Sequence, residues 1–231
     1  MSSLPHSDVV SHPPVPQRRG AARASTWWGK AWVRAVEEAA YGEAELRAAR
    51  SLARAAAVGG ISIGRGRMVA AVSDSSGLFT VDVRLPVLDE PATAGLIEAV
   101  AAEAGRVGAL LSGDLPHALV EHAEEAGAEL LPFGGEFEAT CTCDAWLDPC
   151  AHALALLYQV AWLVDVDPIA LCHLRGVPRD LLLARLHARE ATVTTHEGTD
   201  AVLLDTAFDA VARAQRLLEL LETDASVDHL F

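Results

Sequence analysis

The stretch Glu136-Phe-Glu-Ala-Thr-Cys141-Thr-Cys143-Asp-Ala-Trp-Leu-Asp-Pro149-Cys150-Ala-His152 decides how this chain is read. Its first half alternates. Phe137, Ala139, Cys141 and Cys143 fall on one face of an extended strand, and Glu136, Glu138, Thr140 and Thr142 on the other. Two cysteines at i and i+2 on a strand offer both sulfurs to the same side, which suits a shared metal and suits a mutual disulfide badly. Pro149 then marks a helix start. Helix positions two apart diverge by about 200°, so Cys150 belongs at the cap and only His152 in the first turn. A helix N-terminus also favours a thiolate at that cap. Three thiolates and a neutral imidazole close a tetrahedron around Zn²⁺ and leave no position for water or substrate. Cys141, Cys143, Cys150 and His152 are therefore expected to hold one structural zinc ion. The plainer alternative is three small buried hydrophobes and a satisfied core histidine.

Working outward, Gly134-Gly135 precedes the strand, and Leu130-Leu131 is expected to supply the partner strand of a hairpin. A buried helix follows from Cys150 to Val164, within the longest stretch free of charged residues, Pro149 to Val164. Upstream, Thr26–Tyr41 and Glu43–Ala57 read as helices rich in Ala, Arg and Glu, separated by Gly42. The period then changes. Ile61 and Ile63, then Met68, Ala70 and Val72, then Phe79, Val81, Val83 and Leu85 alternate around two turns, a three-stranded antiparallel meander. Pro91–Leu111 and Leu115–Ala126 return to helix. Downstream, Asp167-Pro168 starts a short helix, Pro178–Ala188 forms another, and Asp205–Leu221 an amphipathic last one. The expected class is α+β in four regions. Residues 1–25 are a Pro/Ser-rich disordered arm and 26–128 a helical and β-meander region. Residues 129–165 are a zinc-stapled hairpin–helix, and 166–231 a helical tail.

The chain has 231 residues, enough for a sizeable core in one or two domains. No uncharged stretch reaches the roughly 20 apolar residues of a membrane span. Residues 1–20 lack the apolar core of a secretory signal. Four cysteines without an export signal argue against a disulfide framework, so a soluble cytoplasmic protein is expected. The net charge of −14 is unevenly spread: residues 17–67 carry ten basic and four acidic side chains, residues 68–172 two and seventeen. A protein that coats DNA on all sides is excluded; one N-terminal segment alone could meet a polyanion.

Within that segment Arg47, Arg50 and Arg54 form a basic ridge on one helix face, and Arg65 and Arg67 sit at a hairpin tip. With Trp27, Trp28 and Trp32 nearby, they are the candidate nucleic-acid contacts. A solvated face, or docking against the chain's own acidic half, is the competing account, and the tryptophans read as core anchors of the first helix. Asp144 and Asp148 are candidates to accept a hydrogen bond from the free ring nitrogen of His152, or else plain turn and helix-side residues. Trp146 is expected to roof the metal, and Tyr158 and Trp162 to sit in the core. Cys172-His173 lacks a neighbouring pair and reads as a buried thiol. Gly59-Gly60 and Gly64-Arg-Gly66 match no phosphate-binding fingerprint, and no nucleophile elbow stands out. A metal-free redox pair of Cys141 and Cys143 is the remaining enzymatic reading, and it lacks a thioredoxin-like Cys-x-x-Cys. The expectation is a protein without catalytic residues or small-molecule substrate.

Cys-x-Cys, six residues, Cys-x-His resembles the SWIM-type zinc finger, a short β-hairpin followed by a helix that carries the last two ligands. The chain is also similar to bacterial stand-alone SWIM proteins over roughly residues 26–187. That likeness includes Trp27-Trp28-Gly29-Lys30-Ala31-Trp32, Asp167-Pro168 and Leu174-Arg175-Gly176. The resemblance implies a module that binds DNA or proteins, with a Swi/Snf-type helicase-like ATPase as the partner class. Many relatives carry a basic residue between the last Cys and His; Ala151 stands there in this chain, which weighs against nucleic acid at the finger itself. A protein partner is the favoured expectation, and direct nucleic-acid binding through residues 17–67 the alternative.

Overall fold

The computed structural model describes residues 9–17 and 24–189. By internal contacts the chain divides into two units, Met1–Leu183 and Ala184–Phe231. The helix expected over Asp205–Leu221 lies outside the described residues, as does most of the N-terminal arm.

Five antiparallel strands form one sheet in the order β1 (Val10–His12), β2 (Val58–Gly64), β3 (Arg67–Asp74), β4 (Gly77–Arg84) and β5 (Glu138–Cys141). The expected three-stranded meander is its centre. Two corrections enlarge it. Val10–His12, expected within an unstructured arm, pairs with Ile61–Ile63 along the free edge of β2. At the other edge, β5 pairs with β4 in the register Val81↔Cys141 to Arg84↔Glu138, so the metal-binding strand belongs to the main sheet and not to a separate hairpin. Leu130-Leu131 cannot be its partner, because both carbonyls are already engaged. The buried Arg175 guanidinium donates to Leu130 O at 3.0 Å and Leu131 O at 3.2 Å, and grips both oxygens of Glu136. Gly66 closes the β2–β3 turn at φ +64°, where an added Cβ would stand 2.7 Å from Leu85 O.

One sheet face is apolar, and Val58, Ile61, Ile63, Met68, Val72, Val81 and Val83 are fully buried there. Against it lies α6 (Ala151–Val166), which buries twelve of its sixteen residues and has no polar face. A helix apolar all round must be covered all round. On its other side are α1 (Trp27–Ala39) and α2 (Glu43–Arg54). The tryptophans behave as anchors: Trp28 Nε1 donates to Val164 O at 2.7 Å and Trp32 Nε1 to Leu157 O at 3.0 Å. Asp165 fastens the start of α1, accepting from the Ser25 and Thr26 N–H groups and both hydroxyls at 2.6–3.0 Å. Gly29 permits this approach, since a Cβ would meet Asp165 Oδ1 at 2.3 Å.

The single helix expected over Pro91–Leu111 is two, α3 (Glu90–Ala101) and α4 (Ala104–Leu111). The break is stabilised by buried Arg106, which donates to Ala99 O at 2.6 Å and pairs with Glu103. Next come α5 (His117–Glu125), a 3₁₀ turn at Gly134–Glu136, and, after α6, α7 (Pro168–Leu174); residues 179–189 are also helical.

Candidate metal centre

Three elements bring the four expected ligands together. Cys141 ends β5, and the strand pairing runs one residue further, with Thr142 N–H donating to Thr80 O at 3.1 Å and Thr80 N–H to Thr142 Oγ1 at 2.9 Å. Alternation then returns Cys143 to the side of Cys141. Cys150 is the N-cap of α6, its carbonyl accepting the first helical bond from Leu154, and His152 lies in the first turn as expected. The four ligand atoms all lie within 4.8 Å of one another. Cys143 Sγ and Cys150 Sγ are 3.6 Å apart, and Cys141 Sγ and His152 Nδ1 3.8 Å.

These spacings fit zinc. Zn–S bonds of about 2.3 Å and Zn–N bonds of about 2.0 Å give tetrahedral edges of about 3.5–3.8 Å, whereas a disulfide needs sulfurs about 2.05 Å apart. All four cysteines are free thiols. Without an ion the three thiols titrate apart. Burial pushes the Cys141 thiol up to about 12 and raises that of Cys150. At Cys143 burial also acts upward, but hydrogen bonds from His152, the Ala145 N–H and the neighbouring thiols outweigh it and hold this group at about 7. Left to themselves, three crowded sulfurs do not ionise together at neutral pH; a dication supplies the charge that lets them. The donors therefore suit a single zinc ion, which would tie β5 to α6.

The free nitrogen of His152 has a partner that sequence spacing does not reveal. Nε2 lies 3.0 Å from Asp74 Oδ2, so the imidazole turns Nδ1 toward the sulfurs. Asp74 ends β3 at its turn into β4, where its Oδ1 accepts from Ser76 N–H at 2.7 Å, Ser76 Oγ–H at 2.6 Å and Gly77 N–H at 3.2 Å. Those bonds from Ser76, with His152 adding to them, hold the carboxyl down to about 2. Phe79 stacks on the imidazole at 4.6 Å and 24°. Asp74 thus takes the role expected of Asp144 or Asp148. Trp146 does not roof the metal: its side chain is 100% exposed. Asp74-Ser-Ser-Gly77 is legible as a turn; only the β4–β5 register brings that turn to the metal.

The family model of the SWIM zinc finger matches residues 125–161, a span holding all four ligands. The chain carries a SWIM zinc finger. It is also 30% identical over 175 residues to Uncharacterized protein Rv2102 of Mycobacterium tuberculosis, an overlap of 75% of this chain and 62% of the relative. The chain thus spans less than two thirds of that relative's length. No solved structure matches it.

The arginines expected to contact nucleic acid lie on two elements, Arg47, Arg50 and Arg54 on α2 and Arg65 and Arg67 at the β2–β3 turn. Arg67 is bound bidentately by Asp82 at 3.0 Å. Arg65 is exposed at the β2–β3 turn. On α2, Arg50 donates to Tyr158 Oη at 3.0 Å, Glu37 at 2.9 Å and Glu43 at 3.1 Å, while Arg47 and Arg54 bond backbone carbonyls one turn earlier. Arg50 and Arg54 line a groove of about 680 Å³ with Lys30 and Arg34 of α1, two cations the sequence reading did not single out. Lys30 and Arg34 recur at i and i+4, a spacing that could have marked them. Cys172 is a buried thiol, as expected, pushed up to about 12 by burial. Among the described residues, no helix is long and apolar enough to cross a membrane.

Proposed function

We propose that this chain is a non-catalytic interaction protein whose SWIM finger, rigidified by one structural zinc ion, meets a protein partner. The observation that carries the reading is the closed donor set itself: all four positions of a tetrahedral ion are filled by side chains that join β5 to α6. Charge supports it, since from Val107 to Leu174 the chain has no lysine or arginine, leaving the finger unsuited to a phosphate backbone. A Swi/Snf-type DNA-handling ATPase is the partner class the resemblance suggests, and the cytoplasm, where thiols stay reduced, is the compartment the free cysteines suit. The test is co-elution of the purified zinc-loaded chain with such an ATPase, alongside metal analysis. About one zinc per chain and a complex lost on chelation are expected; metal-free protein that still binds the ATPase overturns the reading.

Direct nucleic-acid binding through residues 17–67 is a second reading, favoured by the groove between α1 and α2. Lys30, Arg34, Arg50 and Arg54 line it against one carboxylate, Glu37. If it follows a phosphate backbone, Lys30→Glu with Arg34→Glu weakens DNA binding at low salt and lowers the salt slope by about two. An unchanged slope removes the groove from consideration.

A further inference from the structure

Trp146 is the most exposed large hydrophobic side chain among the described residues. It stands in the loop between Cys143 and Cys150, so both ends of its segment are metal ligands and a bound ion pins the segment to the body. Leu147 beside it is also exposed. Burial of a tryptophan held on a rigid support is what interface hot spots are made of.

Its surroundings specify the charge of whatever covers it. Asp144 and Asp148 flank it in sequence, and neither has a hydrogen-bond or ionic partner among the described residues. The same loop forms one wall of a groove of about 640 Å³ that opens over the metal ligands Cys143, Cys150 and His152, with Leu52 and Phe79 as apolar lining and Asp144 as its unpaired acidic group, Asp74 being held by Ser76 and His152. Lysine and arginine carry a cationic head on an apolar stem and match both parts of such a groove. Trp146, two residues from Asp144 in the same loop, leaves its indole exposed for a cation–π contact. A nucleic-acid strand approaching the same point meets two unpaired carboxylates and is repelled.

We infer that the Trp146 loop docks a cationic protein segment, whose lysine or arginine side chains meet the exposed indole and the unpaired carboxylates of Asp144 and Asp148. This rests on the finger being an interaction site and adds the chemistry of what it receives.

The test uses the full zinc-loaded chain and a short peptide of alternating arginine and leucine. The Trp146 indole N–H signal, assigned by its loss in Trp146→Phe, is followed by NMR. A saturable shift that weakens with added salt is expected. Trp146→Ala should cut affinity at least about tenfold, and Asp144→Asn with Asp148→Asn about threefold or more. Trp146 has no packing to lose, so its variants report on docking and not on folding. An unmoved signal, equal binding of a glutamate–leucine peptide, or a shift caused instead by a single-stranded oligonucleotide overturns the inference. A shift on simple dilution also overturns it, since the occupant is then a second copy of the chain. Should the chain bind an ATPase in a zinc-dependent way while the Trp146 signal stays still, the docking inference falls alone. Loss of zinc-dependent partner binding altogether strikes the broader reading.

Discussion

The metal end of the molecule and the α1–α2 face carry surplus charge of opposite sign, and in neither place does the chain neutralise it. Around the zinc loop Asp144 and Asp148 have no partner, and along the α1–α2 groove Lys30 and Arg34 have no carboxylate among the described residues. Elsewhere charge is consumed internally, Arg175 by Glu136 and Arg67 by Asp82, and within the groove itself Arg50 alone is paired, with Glu37 and Glu43. The contrast separates charges that hold the fold from charges left for something else. The two ends therefore differ in the sign of the charge they leave unpaired.

The largest effect that could break this comparison comes from the metal. Cys150→Ser should weaken zinc binding by a thousandfold or more, about 4 kcal/mol, as read by competition with a chromogenic chelator. The helical circular dichroism should survive, because α6 is held by twelve buried residues and not by the ion. If that signal collapses as well, the zinc supports the whole fold and the metal end is no longer a separable region. Next in size is Asp74→Asn. Removing the carboxylate that orients His152 should cost about 10- to 100-fold in zinc affinity, about 1.4–2.7 kcal/mol. Asp144→Asn should leave zinc affinity unchanged, since Asp144 makes no bond to the imidazole. Equal losses from the two variants would mean that general negative charge, and not the 3.0 Å contact of Asp74, tunes the site.

That difference between Asp74 and Asp144 also shows what a single sequence can reveal. The ligands were legible because their chemistry is local: alternation places Cys141 and Cys143 on one side, and a helix cap places Cys150 and His152 near each other. The central meander and α6 were legible from periods of two and from an uncharged run. Asp74 was not, because its relation to His152 exists only once β4 pairs with β5. The strand β1 was hidden for a different reason: three residues pairing on an open edge need no periodicity of their own. The false hairpin partner, Leu130-Leu131, has the right residues for a strand but loses its carbonyls to Arg175, whose reach across 44–45 positions no local pattern encodes.

The smallest effect tests how the two regions are joined. Asp165 lies one residue from the end of α6, the helix that begins at the metal, and it accepts four kinds of donor from Ser25 and Thr26 at the head of α1, the helix that carries Lys30 and Arg34. Burial acts to raise this carboxyl, but the Ser25 and Thr26 bonds outweigh it and hold the group below its usual range. A carboxyl whose folded pKa is depressed stabilises the fold above its unfolded value, about 3.9, and that contribution is lost as pH falls through the folded value. Asp165→Asn should therefore cost about 1 kcal/mol in urea unfolding at neutral pH, with the difference from wild type steady down to about pH 5 and shrinking below about pH 4. Zinc affinity should not move, because the metal lies at the opposite end of α6. A variant that loses zinc as well as stability would show that the start of α1 and the metal site respond as one unit, and the contrast between the two charged ends would then describe one site with two sides.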